Sequence, residues 1–405
     1  MTVHSPLFSQ IAIGNLSLKN RLVRSATYEG AADRNGVPGD DYLSIYGELA
    51  RNDVGMIITG FTYIARSGRA MQPFQAGLDD REKIRSFRRV TDEVHRHNCP
   101  IIVQLAHAGR QTLASWTGVR PVSSTSERSV YFREKPRMLR VGEVYEIAEQ
   151  FATCAMYAQE AGFDGVQLHA AHGYLIHQFI LQDISRLTHE FGVDAATGVG
   201  TRLLDEIIDR TRAKCGATFP ILVKMSGNSD YSNRFYPVQF ASLLRFLNSK
   251  RVAAIEISYG TMDYALNIFR GDMNLPLLWK HNPLFKTTSR LRRAFYTMYI
   301  RRHIMPRIQP YSSMYNLKYA EAAKRLTDIP IISVGGFRSR NDMESVIAAK
   351  KSDLIGLSRP FNCEPDFARK LMQVDDYTSP CTNCNRCVFM CDAEQVTRCY
   401  SKVTT

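Results

Sequence analysis

Eight short runs of apolar residues recur along the chain, and longer stretches with helical periodicity separate them. The runs are rich in Val and Ile and do not alternate with polar residues, which is typical of parallel strands covered on both faces. They occupy residues 22–26, 54–59, 100–105, 163–168, 219–225, 252–258, 329–334 and 353–357. This pattern predicts eight parallel strands.

The stretches between these runs predict helices. Residues 82–98 form a charged amphipathic pattern, and residues 143–162 place apolar side chains three and four positions apart. Eight strand–helix units predict an α/β fold of the (β/α)8 type, a TIM barrel with its active site at the C-terminal strand ends. An open doubly wound sheet is the alternative, but no G-x-G-x-x-G motif follows the first strand. Residues 11–20 predict a hairpin that closes the barrel floor.

Composition narrows the class of protein. The 405 residues are 44% hydrophobic, and no apolar run reaches the roughly 18 residues of a membrane span. The N-terminus, Met1 to Pro6, lacks the charged and apolar regions of a signal peptide. Five of the nine cysteines fall in the last 25 residues, which favours a metal or redox site over a disulfide framework. We therefore expect a cytoplasmic protein.

The net charge of +13 is concentrated in one segment. Residues 261–328, a predicted insertion after strand six, hold twelve Lys/Arg and four Asp/Glu. Within them Leu291, Phe295, Met298 and Tyr299 recur at helical spacing among arginines, which predicts a basic amphipathic helix. Such a helix could cap the site, dock an acidic partner or lie on a membrane surface; a lid with a solvated basic face is the simplest interpretation. Since no nucleic-acid motif accompanies the charge, nucleic-acid binding is not expected.

We divide the chain into a barrel domain, residues 1–375, and a Cys-rich extension, residues 376–405, packed on the barrel. The candidate chemistry begins at residues 165–174, where a predicted strand ends in His169, His172 and Tyr174 among small residues. Two imidazoles can hydrogen-bond an oxygen that gains negative charge, and a phenol can deliver a proton. The structural alternative is two histidines with internal partners and a packing tyrosine.

The last two predicted strands each end in a glycine-containing loop with an arginine. Gly335, Gly336 and Arg338 follow strand seven, whereas Ser358 and Arg359 follow Gly356 in strand eight. In a barrel these two loops often bind phosphate, because glycines let backbone N–H groups approach and an arginine adds bidentate charge. The pair of loops therefore predicts a phosphate site.

These motifs in order resemble the old yellow enzyme family of NADH:flavin oxidoreductases, in the branch that includes 2,4-dienoyl-CoA reductase and trimethylamine dehydrogenase. The resemblance covers nearly the whole chain: residues 20–27, 104–110, 169–174 and the two glycine loops. The histidine–tyrosine motif at 169–174 is the specific part. The resemblance implies a barrel that binds FMN without a covalent bond and takes hydride from NADH or NADPH.

The resemblance also implies site residues. Lys224 would sit beside the part of the flavin that becomes anionic on reduction, and Gln104 would hydrogen-bond its pyrimidine edge. His169 and His172 would hold the carbonyl oxygen of a small enone or enoyl substrate, and Tyr174 would protonate the alkene after hydride transfer. The residues implied to line the flavin are Ala26, Thr27, Tyr28, Gly60 and Phe61. Those implied to hold its phosphate are Gly335, Gly336, Arg338, Ser358 and Arg359.

The cysteine tail resembles the iron–sulfur motif of the trimethylamine dehydrogenase branch. Two residues separate Cys381 from Cys384 and Cys384 from Cys387, and Cys399 follows later, which leaves Cys391 as the spare thiol. A 4Fe–4S cluster takes four cysteines, although tetrahedral zinc or thiols without metal remain open. Two other functions also remain open. One is an iron–sulfur flavoprotein dehydrogenase that exchanges electrons with an external carrier protein; the other is a partner-binding barrel with little catalysis, which the intact histidine–tyrosine motif disfavours.

Overall fold

Eight parallel strands close into a barrel in this computed structural model, which describes residues 5–231 and 235–401. The barrel order is β3-β4-β5-β8-β9-β10-β11-β12, and β12 pairs with β3 to close the ring. The strands are β1 Ile11–Ile13, β2 Leu16–Leu18, β3 Leu22–Arg24, β4 Met56–Tyr63, β5 Ile101–Ala106, β6 Val122–Ser123, β7 Arg137–Met138, β8 Gly165–Ala170, β9 Ile221–Ser226, β10 Ala254–Ser258, β11 Ile331–Val334 and β12 Leu354–Leu357. The predicted barrel is confirmed, and the open sheet is excluded.

Helices surround the barrel, and two of the predicted ones fall at the expected places. The charged pattern at 82–98 forms α2, and the pattern at 143–162 forms α4. The helices are α1 Asp40–Arg51, α2 Ile84–His95, α3 Ala114–Thr117, α4 Val141–Glu160, α5 Leu175–Ile180, α6 Arg202–Cys215, α7 Phe240–Ser249, α8 Leu275–His281, α9 Arg290–Tyr299, α10 Leu317–Lys324, α11 Arg340–Ala348, α12 Arg359–Cys363, α13 Phe367–Gln373 and α14 Arg386–Phe389.

All eight predicted strands are present, and most begin one or two residues later than their apolar runs. The runs are continuous because the strands are buried on both faces: every residue of β5, β8, β9 and β10 is buried. Val23, Ile102, Leu222 and Ala254 point into the barrel, where they pack with Ile13 and Leu18 of the β1–β2 hairpin. The hairpin therefore closes the barrel floor, as predicted.

The predicted insertion at 261–328 is shorter than expected. Its last helix, α10, packs against β11 as a barrel helix does, so the departure from the repeat ends before Leu317. The beginning of the insertion is held by a buried ion pair, in which Arg110 Nη2 lies 3.1 Å from Asp263 Oδ2. Asp263 also accepts the N–H of Val130, so the loop after β5 and the insertion are joined over the barrel mouth.

The Cys-rich extension lies across the same mouth. The N–H of Ser379 donates to the carbonyl of Arg338, and the N–H of Thr397 donates to the carbonyl of Glu29. Of the described helices, none is long and apolar enough to cross a membrane. The prediction about a signal peptide depends mainly on residues 1–4, which lie outside the described residues.

Arg110→Ala should lower the melting temperature strongly, because Asp263 would be left as a buried charge without its partner. Breaking a buried pair in this way costs about 3–5 kcal/mol. Arg325→Ala is the matched control, since it removes a solvent-exposed pair with Glu321 and should have little effect. Thermal unfolding followed by circular dichroism makes the comparison; equal shifts in the two variants would show that Arg110 does not anchor the insertion.

Candidate active site

A cavity of about 540 Å³ opens at the C-terminal ends of the barrel strands. It brings together side chains from every part of the predicted site, including the two histidines, Tyr174 and both glycine loops. The predicted residues that line it are Ala26, Thr27, Tyr28, Phe61, Gln104, His169, His172, Tyr174, Lys224, Gly335, Gly336, Arg338, Ser358 and Arg359. The residues predicted from the sequence to form the site therefore meet at one cavity.

Gly60 is the predicted residue that does not line the cavity. Its N–H donates to Glu29 Oε1 at 2.6 Å, and the register between β4 and β5 shifts between Ile58 and Phe61. A Cβ on Gly60 would collide with the Glu29 carboxylate and with the carbonyl of Thr27. Gly60 therefore lets the strand close over a buried carboxylate, and this irregular strand carries Phe61 to the cavity wall.

The histidine–tyrosine motif forms a tight turn after β8. His172 and Gly173 both have positive φ, +60° and +75°, so the chain reverses within two residues. The ring of His169 is 4.9 Å from that of His172 and 4.9 Å from that of Tyr174, measured between centroids. A non-glycine residue held at positive φ costs free energy, and such residues often mark functional sites. The turn places three polar rings around one point.

Both histidines are neutral at physiological pH. Burial lowers the pKa of His169 well below its ordinary value, and the nearby Lys224 ammonium lowers it further. Burial likewise lowers the pKa of His172, with His169 as a second cause. A neutral imidazole carries one N–H donor, so each ring can donate one hydrogen bond but carries no charge. His172 Nε2 lies 2.8 Å from Ser258 Oγ, whereas His169 Nδ1 is buried without a partner in the described structure.

Tyr174 is held as a protonated phenol. Burial raises its pKa above the ordinary value, and the neighbouring Cys391 and Asp392 raise it further. The ring stacks on Phe61 with centroids 5.6 Å apart and planes 22° apart. A buried phenol that keeps its proton can supply it to a carbanion-like carbon, so this arrangement suits a general acid.

A chain of buried polar side chains crosses the barrel beneath these rings. Gln104 Nε2 donates to Gln167 Oε1 at 2.6 Å, and Gln167 Nε2 donates to Glu256 Oε2 at 2.8 Å. Lys224 Nζ lies 3.2 Å from the other oxygen, Glu256 Oε1. The sequence analysis missed Gln167 and Glu256. The available signal was a single carboxylate inside the apolar run 252–258, since an acidic residue is rarely buried unless it is paired.

Two further residues that the sequence analysis missed hold the turn from behind. His177 Nδ1 accepts the N–H of Gly173 at 2.9 Å, and burial lowers the pKa of His177 to about 3. Gln178 Nε2 donates to the carbonyl of Gly173 at 2.7 Å, and its Oε1 accepts from Ser123 Oγ. Both lie on α5, and the available signal was two polar residues within the otherwise apolar sequence of this helix.

The two glycine loops form the wall opposite the histidines. Gly335 and Gly336 have positive φ, +127° and +86°, and a Cβ on Gly335 would lie 2.6 Å from Asn316 Nδ2. No side chain fits at these positions, so backbone N–H groups can face the cavity. Arg338 Nε is buried and has no partner within the described residues. This unpartnered donor beside two glycines fits an anionic group such as phosphate.

Arg359 connects the last strand to the insertion and to the cysteine tail. Its Nη1 donates to the carbonyls of Phe269 and Arg270, each at 2.9 Å, and to Asn385 Oδ1 at 2.6 Å. Thr27 Oγ1 donates to Ser358 Oγ at 2.7 Å beside it. The guanidinium therefore faces the cavity while one of its nitrogens anchors two loops.

The cysteine tail brings the other three predicted ligands near Cys387. The Cys387 thiol lies within electrostatic reach of Cys381, Cys399 and Cys384, and burial raises its pKa to about 12. Throughout residues 5–231 and 235–401, no group of three or more His, Cys, Asp or Glu side chains is arranged to hold a single metal ion. Cys391, the spare, lines the cavity beside Tyr174.

A polar joint in the cavity roof was not predicted. Asp392 from the tail accepts from Asn282 Nδ2 at 2.6 Å and from Gln72 Nε2 at 3.3 Å. Asn282 also donates to the hydroxyl of Tyr131. Burial raises the pKa of Asp392 to about 6. The joint ties the tail to three loops that are distant in sequence, which is why no local pattern could reveal it.

A family model described as the NADH:flavin oxidoreductase / NADH oxidase family matches residues 6–264, which is more than half of the chain. The chain belongs to this family. The resemblance drawn from its motifs is therefore confirmed at the level of the family, whose members use flavin and a nicotinamide donor. The branch that includes 2,4-dienoyl-CoA reductase stays a prediction.

Some curated relatives are named for NADH and others for NADPH. The chain is 26% identical over 387 residues to an NADH oxidase from Thermoanaerobacter brockii, covering 95% of this chain but 54% of that protein. It is 30% identical over 259 residues to an NADPH dehydrogenase from Listeria welshimeri, covering 63% of this chain and 74% of that one. The chain thus spans about half the length of the first relative.

The fold is also that of solved structures. An old yellow enzyme homologue from Zymomonas mobilis superposes with a TM-score of 0.70 at 23% identity, covering 93% of this chain and 94% of that one. This likeness supports the barrel fold.

The residues present fit the flavin cofactor of this family. Lys224 supplies a buried cation, Gln104 an amide, and His169 Nδ1 and Arg338 Nε are buried donors or acceptors that lack internal partners. An amide, a cation and a glycine-lined anion pocket match, respectively, a pyrimidine edge, a site of developing negative charge and a phosphate. The cavity is therefore chemically suited to FMN.

His169→Ala combined with His172→Ala should weaken the binding of phenol-like anions, which resemble an enolate. Each hydrogen bond to a charged oxygen contributes about 1.5–3 kcal/mol, so we expect an affinity loss of at least about tenfold. Titration of p-hydroxybenzaldehyde, followed by absorbance, gives the dissociation constant. His95→Ala, a histidine paired with Asp164 outside the cavity, is the control. Unchanged affinity in the double variant would contradict the assignment of an anion site to these two histidines.

Proposed function

We propose that the chain reduces an alkene activated by a neighbouring carbonyl group, using NADH or NADPH as the donor and bound FMN as the carrier. The observation that carries this proposal is the convergence of His169, His172 and Tyr174 on one cavity above Lys224. Bound flavin supplies the transfer of hydride from the nicotinamide to the substrate carbon. The protein side chains bind, orient and protonate the substrate.

We assign the two halves of the cofactor site to two groups of residues. Ala26, Thr27, Tyr28 and Phe61 would line the flavin ring, with Gln104 and Lys224 at its polar edge. Gly335, Gly336, Arg338, Ser358 and Arg359 would hold the phosphate. Gly60 keeps a supporting role, because its contact with Glu29 shapes the strand that carries Phe61. The polar edge of Gln104 and Lys224 suits the flavin ring, and the glycine loops with their arginines suit a phosphate, which supports this assignment.

Proton handling follows from the pKa directions. Because burial keeps His169 and His172 neutral, each can donate a hydrogen bond to the substrate carbonyl oxygen without carrying charge into the cavity. Negative charge that develops on this oxygen is then stabilised by two donors and by the field of Lys224. Tyr174 keeps its proton until a basic carbon forms beside it, and it delivers the proton there.

The upper half of the cavity favours a substrate with an apolar body. The insertion contributes Leu278, Leu284, Ile304 and Ile308, and the loop after β5 contributes Phe132. Apolar walls stabilise a ligand in proportion to the apolar area that they remove from water. We infer an enone or enoyl compound whose reactive end lies at the histidines and whose apolar part extends beneath the insertion.

A cytoplasmic location is part of the proposal. Cys99, Cys154 and Cys215 are buried as thiols. Disulfides are rare where thiols are kept reduced, as in the cytoplasm. NADH and NADPH are cytoplasmic reductants, so the location agrees with the proposed chemistry.

Tyr174→Phe should slow alkene reduction while sparing reduction of the flavin by the nicotinamide. The loss of a positioned proton donor costs about two to four orders of magnitude in rate. Stopped-flow absorbance separates the two phases, with 2-cyclohexenone as the oxidising substrate. The role of Tyr174 would be wrong if the nicotinamide phase slowed and the enone phase did not. Tyr145→Phe serves as the matched control, since its hydroxyl donates to Glu190 outside the cavity.

Arg359→Ala should lower flavin occupancy, because it removes a cation from the proposed phosphate site. Arg359 also donates to Asn385, so the loss of this tail contact must be distinguished from the loss of the positive charge. Asn385→Ala removes that tail contact and retains the charge, and we expect it to keep its flavin. Occupancy is measured from the ratio of flavin to protein absorbance after gel filtration. Full occupancy in Arg359→Ala would contradict the phosphate assignment.

A second candidate function is an iron–sulfur flavoprotein that exchanges electrons with an external carrier protein. The observation that favours it is the grouping of Cys381, Cys384 and Cys399 around Cys387. Four thiols suit an iron–sulfur cluster, and Cys387 lies within reach of the Arg359 charge.

Anaerobic purification followed by iron, sulfide and zinc analysis decides between the metals. About four iron and four sulfide per chain supports the cluster, and Cys384→Ala should abolish both. Cys391→Ala is the matched control, since Cys391 is the spare thiol and should leave the iron content unchanged. Near-zero iron with stoichiometric zinc, or with neither metal, would remove the electron-transfer function and leave the alkene reductase.

A further inference from the structure

The helix α9 in the insertion exposes its apolar side chains instead of burying them. Leu291 is 86% exposed, Phe295 60% and Met298 59%, and no residue of α9 is buried. The spacing of these three residues places them on one face, which we call the outer stripe. The solvated face of the expected lid therefore carries apolar side chains as well as basic ones. A continuous apolar stripe on a surface marks an interaction site.

The segment that carries α9 contains basic residues and no acidic ones. From residue 273 to residue 320 there is no Asp or Glu. The nine basic residues in it are Lys280, Lys286, Arg290, Arg292, Arg293, Arg301, Arg302, Arg307 and Lys318. In the described part of the chain, none of these nine side chains forms an ion pair. The outer stripe is thus bordered by cations that have no carboxylate partner.

The other side of the same helix faces the cavity. Tyr296 and Tyr299 of α9, and Ile300 and Ile304 after it, line the cavity wall. One helix thus separates an apolar cavity from an apolar external stripe. The inward side chains of α9 line the cavity, and no described residue covers the outer ones.

We propose that α9 docks this protein on the surface of an anionic phospholipid membrane. Leu291, Phe295 and Met298 enter the headgroup boundary, and the bordering arginines contact lipid phosphates. An apolar face with cationic flanks is the combination by which interfacial helices bind. Anionic lipids of the cytoplasmic leaflet attract basic segments without any membrane-spanning helix. The docking does not depend on the proposed reaction, and it places the mouth of an apolar cavity beside the bilayer.

Other occupants of the surface fit less well. A second copy would bring the same unpaired cations face to face, since a two-fold contact uses one surface twice. An acidic protein would neutralise the arginines but would also need a groove shaped to a convex helix. A lipid interface adapts to a convex apolar surface and provides the opposite charge, so it satisfies both features.

Sedimentation of the full chain with vesicles tests the proposal. One set is phosphatidylcholine alone and the other is an equal mixture of phosphatidylcholine and phosphatidylglycerol. We expect binding to the mixed vesicles and little to the neutral ones. The combined variant L291S/F295S/M298S should bind the mixed vesicles at least about tenfold more weakly than the unchanged protein. R301Q/R302Q should lose a similar share of its affinity at low salt.

The control variant is L326S/V374S, which removes two exposed apolar side chains elsewhere on the surface and should bind as the unchanged protein does. Circular dichroism and flavin content check that each variant folds. Equal binding by L291S/F295S/M298S and the unchanged protein would overturn the proposal. So would binding to polyglutamate but not to vesicles, which would indicate an acidic protein. The proposal would also be overturned if the unchanged protein bound no lipid but formed a dimer in sedimentation equilibrium, and L291S/F295S/M298S were a monomer. That result would indicate that a second copy covers the stripe.

Discussion

The buried ion pair of Lys224 and Glu256 sets the electrostatics of the whole site. The two residues are neighbours in register on β9 and β10, and both are removed from water. A buried cation persists only when a counter-charge and hydrogen bonds compensate it, and Gln167 completes the carboxylate here. The same cation helps to keep His169 neutral. Lys224 therefore provides positive charge for the proposed flavin site, and burial together with this cation keeps the two histidines uncharged.

The site combines this rigid floor with a roof assembled from distant loops. The floor lies on barrel strands, whose hydrogen-bonded register fixes Lys224 opposite His169. The roof depends on two polar joints, Arg110 with Asp263 and Asp392 with Asn282. Loops on a rigid scaffold vary more easily than the scaffold itself. In the proposed function, the barrel therefore carries out the reaction, and the insertion and the tail set the substrate range.

The sequence predicted what local patterns encode. Parallel strands buried on both faces leave apolar runs, so all eight strands could be found, and the small residues around His169 and His172 marked the turn. Pairings across the barrel could not be found, because Gln167 and Glu256 are 89 positions apart and only the closed ring makes them neighbours. The orientation of α9 could not be predicted for a related reason: amphipathicity shows that a helix has two faces but not which face the rest of the protein covers.

The central claim is that this chain carries FMN at the barrel mouth and uses it to reduce activated alkenes. The most direct test is the visible spectrum of the purified protein under anaerobic conditions, followed through two additions. The account predicts a yellow protein whose flavin absorbance is bleached by NADH or NADPH and returns when 2-cyclohexenone is added. A colourless protein that FMN cannot reconstitute would contradict it, as would a bleached flavin whose colour the enone does not restore.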